Sequence, residues 1–258
     1  LSFSFSSKRK FPIPNPFVRE WEGSSMNPTR WNDDFLWDSE SARIYCESGL
    51  DVNERNEHGM TPLMLAAGSG AELDILKVLV DSGADIRSRD DEGWTPLMLA
   101  SALTDSIENI RFLIEQGSEV EIRDYEGWTL LIRTVRDNPS LEVTQLLIES
   151  GARFDQCDRN GLSPFMMAAA QNTNLQVLKY LYQLGGDPLA PKEDGWTALM
   201  LAAGFNPNPA ALEFLLDLGA DVQAREKKGR RALDLARHNK RLVTTPAFTR
   251  LEQLSKTD

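Results

Sequence analysis

Apolar residues recur along this chain in two alternating patterns. A nearly unbroken apolar block, such as PLMLAA at 62–67, is followed by a short polar stretch. Next comes a block in which Leu73, Leu76 and Val80 fall on one helical face. The pair returns: WTPLMLAS follows Gly93 and leads to Ile107, Ile110 and Ile114 on one face. Each first block reads as a short helix. Thr61, Thr95, Thr129, Ser163 and Thr197 are placed to cap its free N–H groups, and Pro62, Pro96 and Pro164 sit where the first turn tolerates a missing N–H. RDNPS, AQNTN and GFNPN between the blocks read as turns. Each second block reads as an amphipathic helix, and polar stretches such as ADIRSRDDE read as extended hairpins.

Two glycine ladders keep the blocks in step. Gly59, Gly93, Gly127, Gly161, Gly195 and Gly229 are each 34 residues apart, as are Gly49, Gly83, Gly117, Gly151, Gly185 and Gly219. Twelve of the 17 glycines belong to these ladders, so glycine use here is architectural. The second ladder falls where a left-handed residue ends a helix. A pair of short helices cannot enclose a core alone. Each must bury its apolar face against the next, which gives a one-dimensional stack.

The pattern resembles the ankyrin repeat. The resemblance is carried by Gly-x-Thr-Pro-Leu (Gly93 to Leu97), by Leu-Ala-Ala (65–67 and 201–203) and by Gly-Ala-Asp (83–85 and 219–221). It covers about residues 39–254. It implies an all-α ankyrin-repeat solenoid of helix–turn–helix units joined by short hairpins. The period is 34 rather than the family's usual 33 or so, with the additional residue in the loop between helices. The family's frequent His after Thr-Pro-Leu is Met here, as Met64, Met98 and Met200, with Met166 after Ser-Pro-Phe. These departures resemble repeats of bacterial proteins.

The ends are expected to differ from the middle. Residues 33–49 are expected to form an N-terminal cap helix, with Phe35, Leu36 and Trp37 covering the first apolar helix. Residues 50–219 hold five full repeats. Residues 220–258 form a C-terminal capping repeat whose last helix, from Thr245-Pro246, turns Phe248, Leu251 and Leu254 inward. Residues 1–32 match nothing in the repeat and read as an extended or flexible tail. The chain starts with Leu, so a longer natural chain and a start at Met26 are both compatible with it.

Composition removes several functions from view. Lys and Arg total 28 against 39 Asp and Glu, a net charge of −11, the wrong sign for a protein that displaces counterions from nucleic acid. No apolar run approaches the ~20 residues of a membrane span. Cys46 and Cys157 belong to units three steps apart, and His58 and His238 to opposite ends, so no disulfide framework, metal pair or catalytic pair is expected. No phosphate loop, calcium loop or nucleophile motif is present, and no cofactor is expected. A cytoplasmic monomer without enzymatic activity is expected.

The resemblance implies protein binding through hairpin tips and first helices, which line a concave surface. In this sequence the slot after each first-ladder glycine holds Met60, Trp94, Trp128, Leu162, Trp196 and Arg230. The slot four before that glycine holds Arg89 and Arg123, with Cys157 and Pro191 in later units. The tips carry Asp91, Glu92, Tyr125 and Glu126. Aromatic and Arg residues dominate interface energetics, and acidic tips favour a partner with basic patches. The Trp row has a second reading, in which each ring lies over the next hairpin and stacks on an Arg. For Trp196 packing is the better reading, because Pro191 removes its Arg. The expected function is a non-catalytic interaction module. An inhibitory subunit covering a partner enzyme, and the binding domain of a larger enzyme, are its alternatives.

Overall fold

The computed structural model describes residues 39–256. The tail expected over residues 1–32, and Phe35, Leu36 and Trp37 of the expected cap, lie outside these residues. The described chain begins with α1 (Ser39–Glu47). Five helix pairs follow: α2 (Pro62–Ser69) with α3 (Leu73–Asp81), α4 (Pro96–Leu103) with α5 (Ile107–Glu115), α6 (Leu130–Asp137) with α7 (Leu141–Glu149), α8 (Pro164–Gln171) with α9 (Leu175–Gln183), and α10 (Ala198–Phe205) with α11 (Pro209–Asp217). The short α12 (Ala232–Ala236) and α13 (Pro246–Leu254) complete the stack.

The caps act where the sequence places them. The side chains of Thr61, Thr95, Thr129, Ser163 and Thr197 accept the N–H of the residue three further on, at 3.2–3.4 Å. Each such cap contributes about 1 kcal/mol. Full burial of one large apolar side chain contributes about 1.5–3 kcal/mol. One such row (Leu63, Leu97, Leu131, Phe165, Leu199, Leu233) is buried from end to end. The caps therefore set where helices begin, while burial holds the units together.

The even-numbered helices form one layer and the odd-numbered helices the other. Apart from the close contact of α1 with α3, neighbouring first helices pack far more closely than neighbouring second helices do. Small residues permit this: a Cβ on Gly68 of α2 would already meet Leu99 Cβ at 3.3 Å. Closer spacing on one side bends the stack and puts the first helices on its inner side.

Two expectations change. The extended hairpins reduce to turns: among the described residues there is no strand, only an isolated antiparallel bridge between Arg123 and Thr129. The reason is an acidic or amide side chain before five of the six tips, Lys192 being the exception. Asp90 Oδ1 accepts the N–H groups of Glu92 at 2.9 Å and Trp94 at 2.8 Å, closing the turn before a ladder can grow. Asn56 and Asp158 do the same. In α13, Leu251 is buried and Phe248 partly so, but Leu254 is exposed, because the frame of the final turn carries it past the face that meets α11 and α12.

Candidate protein-binding surface

The tips project one per unit, and three of the five neighbouring pairs are joined by a backbone hydrogen bond. Asp91 N–H reaches His58 O at 3.2 Å, Tyr125 N–H reaches Glu92 O at 3.0 Å, and Lys227 N–H reaches Asp194 O at 2.9 Å. This approach requires glycine. Gly93 has φ +84°, and a Cβ there would sit 2.7 Å from Tyr125 N.

The row after the glycine divides on folding. Trp94 is 2% exposed and Trp196 4%, while Met60 and Leu162 are buried as well. These four belong to the core rather than to an open stripe. Trp128 is half-buried, and Tyr125 at the tip is 58% exposed. Trp196 stacks on Phe205 with centroids 5.9 Å apart, and Arg230 lies over it at 5.5 Å, so Phe205 and Arg230 flank the ring where Pro191 supplies no Arg.

The Arg row joins successive units. Arg89 Nη1 donates to Gly93 O at 3.1 Å and to Arg123 O at 2.8 Å. Arg123 Nη1 donates to Gly127 O and Cys157 O, both at 2.8 Å. Each guanidinium fastens its own tip to the next unit's backbone. Arg89 also lies 5.9 Å from the centre of the Tyr125 ring. Asp91 and Glu92 are exposed beside it.

A residue that the motif reading passed over sits at the centre. Arg133, on α6, is only 5% exposed. Its guanidinium lies 5.1 Å from the Trp94 ring centre and 4.2 Å from that of Trp128, so it is shared by both rings. Arg133 Nε donates to Asp124 Oδ2 at 2.5 Å, and its Nη2 pairs with Glu126. Asp124 is buried, and its Oδ1 accepts the Trp128 N–H at 2.9 Å. Arg136 approaches the Trp128 ring at 5.2 Å. The signal was available in register: the Arg133 slot holds Leu65, Leu99, Met167, Leu201 and Leu235 in the other units.

The family model for ankyrin repeats matches residues 38–124, 108–191, 131–226 and 166–244. This chain belongs to the ankyrin-repeat family. A crystal structure of the human ASB11 ankyrin repeat domain superimposes with a TM-score of 0.70 at 22% identity, covering 85% of this chain and 94% of that one. A search of curated proteins finds no match. Ankyrin repeats are generally protein–protein interaction modules, and the fold is typically non-catalytic. Among the described residues no helix is long and apolar enough to cross a membrane. No group of three or more His, Cys, Asp and Glu among them is placed to hold a metal ion. Cys46 and Cys157 are free thiols, both partly buried.

Proposed function

We propose that this ankyrin stack is a non-catalytic binding module that captures another protein on its inner side, at the second and third repeats. The observation that carries this is an exposed Tyr125 on the same tip as a half-open Trp128, three residues on, whose ring is held by two guanidiniums, Arg133 and Arg136. A ring fixed in advance loses little conformational freedom on binding, which favours affinity. Asp91, Glu92 and Glu126 surround the pair with carboxylates and favour a partner presenting basic side chains next to an apolar anchor. Trp94 serves from beneath, by holding Arg133.

Affinity capture followed by mass spectrometry tests this. Proteins retained by the native chain should be lost on Tyr125→Ala. That variant should shift Tm by no more than about 2 °C, because it truncates an exposed side chain. An unchanged set of captured proteins would move the binding surface elsewhere.

A further inference from the structure

The last unit carries a charge opposite to that of the rest of the molecule. Residues 225–241 contain eight Lys and Arg against Glu226 and Asp234, a net +6 in 17 residues, so the other 241 residues carry −17. Seven of the eight cations are exposed, and Arg231 is half-buried. Four are engaged close by. Arg230 pairs with Glu226 at 2.9 Å, Arg237 with Asp234 at 3.7 Å, Arg231 donates to Gln223 Oε1 at 2.9 Å, and Arg225 donates to Gly229 O at 2.7 Å. Lys227, Lys228, Lys240 and Arg241 have no carboxylate within ion-pair distance among the described residues.

These four form two pairs, one at each end of α12, and each pair is mounted on a fixed point. Lys227 and Lys228 occupy the tip, which is tied to the preceding tip through Lys227 N–H and Asp194 O at 2.9 Å. Lys240 and Arg241 follow Asn239, whose amide donates to Ala203 O at 3.2 Å and Asn206 O at 3.1 Å. The charges therefore stand on an ordered frame rather than on a loose tail.

We propose that this capping unit docks an acidic, extended segment of a partner polypeptide, as a second recognition surface apart from Tyr125 and Trp128. Three observations favour a polypeptide over other polyanions. The Lys227 and Lys228 tip is bordered by carboxylates, Glu193 and Asp194, on the adjacent tip. A duplex carries a charge every ~1.7 Å and stays straight over this distance, so it would run its phosphates past those groups. Single strands bind by stacking bases on aromatic rings, and the exposed aromatic rings of the described residues, Tyr125 and Tyr182, belong to earlier units. Lys227 and Lys228 also continue the row of tips, so a chain lying along that row meets acid at one end and base at the other. The proposal rests on the stack being a polypeptide binder but not on the Tyr125 and Trp128 site.

The test is fluorescence anisotropy of a labelled twelve-residue peptide of alternating Glu and Asp, titrated with the full chain at 50 and 200 mM salt. Saturable binding that weakens with salt is expected. It should fall at least tenfold in Lys227→Glu/Lys228→Glu/Lys240→Glu/Arg241→Glu, with Tm unchanged, and the corresponding Gln variant should lie between. Tyr125→Ala should bind the peptide like the native chain, which separates this site from the first. No peptide binding at 50 mM salt, or binding indifferent to the four reversals, would overturn the proposal. Tighter binding of a twelve-nucleotide oligothymidylate or of phosphatidylserine vesicles would also overturn it, and would reassign the patch to nucleic acid or to membrane.

Discussion

Arg133 shows how one side chain joins two rings, a turn and a helix. Its charge is buried, so its value lies in being paired: the Asp124 carboxylate receives it, and the Trp94 and Trp128 rings bracket it. Truncation to Ala would strand Asp124 as a buried charge, at a cost of about 3–5 kcal/mol. Urea unfolding of Arg133→Ala should show this loss, and Arg133→Leu with Asp124→Asn should recover most of it, because Leu is the usual occupant of that slot. Equal losses in both variants would mean that the rings, and not the charge pair, hold the site. Tyr45 gives a second residue-level test. Its hydroxyl donates to Asp51 O at 2.8 Å, and burial, aided by the Glu54 and Asp51 charges, pushes its pKa up to about 12. The folded value lies above the unfolded one of roughly 10. Its contribution is therefore fully present below about pH 10 and is lost as pH rises toward 12. Stability measured from pH 9 to 12 should fall across that window, and should fall less in Tyr45→Phe.

At the scale of the helix pair, the loop between helices carries more than a turn. Asn138, Asn172, Asn206 and Asn239 form a ladder through the stack. Asn172 Nδ2 donates to Val135 O at 2.6 Å and Asn138 O at 3.0 Å, while its Oδ1 accepts the Asn174 N–H at 2.8 Å. Asn206 repeats the arrangement one unit on. The loop with the additional residue of the 34-residue period is the loop that holds this ladder. Asn174 differs in exposure: it accepts the Gln176 N–H at 3.0 Å at the start of α9 and donates to Pro139 O at 2.9 Å, but that bond is open to solvent. Removing the buried amide leaves carbonyls without donors, at about 1–3 kcal/mol each. Asn172→Ala should therefore cost at least about 2 kcal/mol, and Asn174→Ala about 1 kcal/mol. Denaturant midpoints in the reverse order would show that the ladder adds little beyond local turns. The sequence marked Asn138, Asn172 and Asn206 only as turn formers, because Asn-Pro and Asn-Thr say nothing about burial.

Across the whole molecule the junctions between units are unequal. Arg89 fastens the second repeat to the third, and Arg123 the third to the fourth. The corresponding slot of the fourth repeat is Cys157, the 160 and 193 tips share no backbone hydrogen bond, and the space over Gly161 is open to 4 Å. In a stack whose units touch only their neighbours, such a junction is where the array parts first. Cys157→Arg should place donors toward Gly161 O and Pro191 O. It should add about 1 kcal/mol and raise Tm by about 2–4 °C, with slower hydrogen exchange at both tips. An unchanged Tm would mean that helix packing alone sets the strength of this junction.

What the sequence determined by itself was the period, the helix starts and the order of units. Those depend on cap chemistry and on apolar spacing within a few residues, and both can be read along the chain. The tip turns were half legible: the glycines were plain, while Asn56, Asp90 and Asp158, which close three of them, passed as ordinary polar residues. Only the tertiary structure decided which members of a row face solvent. Trp94, Trp128 and Trp196 occupy one slot in the repeat, yet their surroundings differ: the first two share Arg133, to which Trp128 adds Arg136, and the third meets Phe205 and Arg230. A slot is a local property, whereas exposure depends on what the adjoining unit brings against it, and that is why Tyr125 and Trp128 stand open while Trp94 lies beneath.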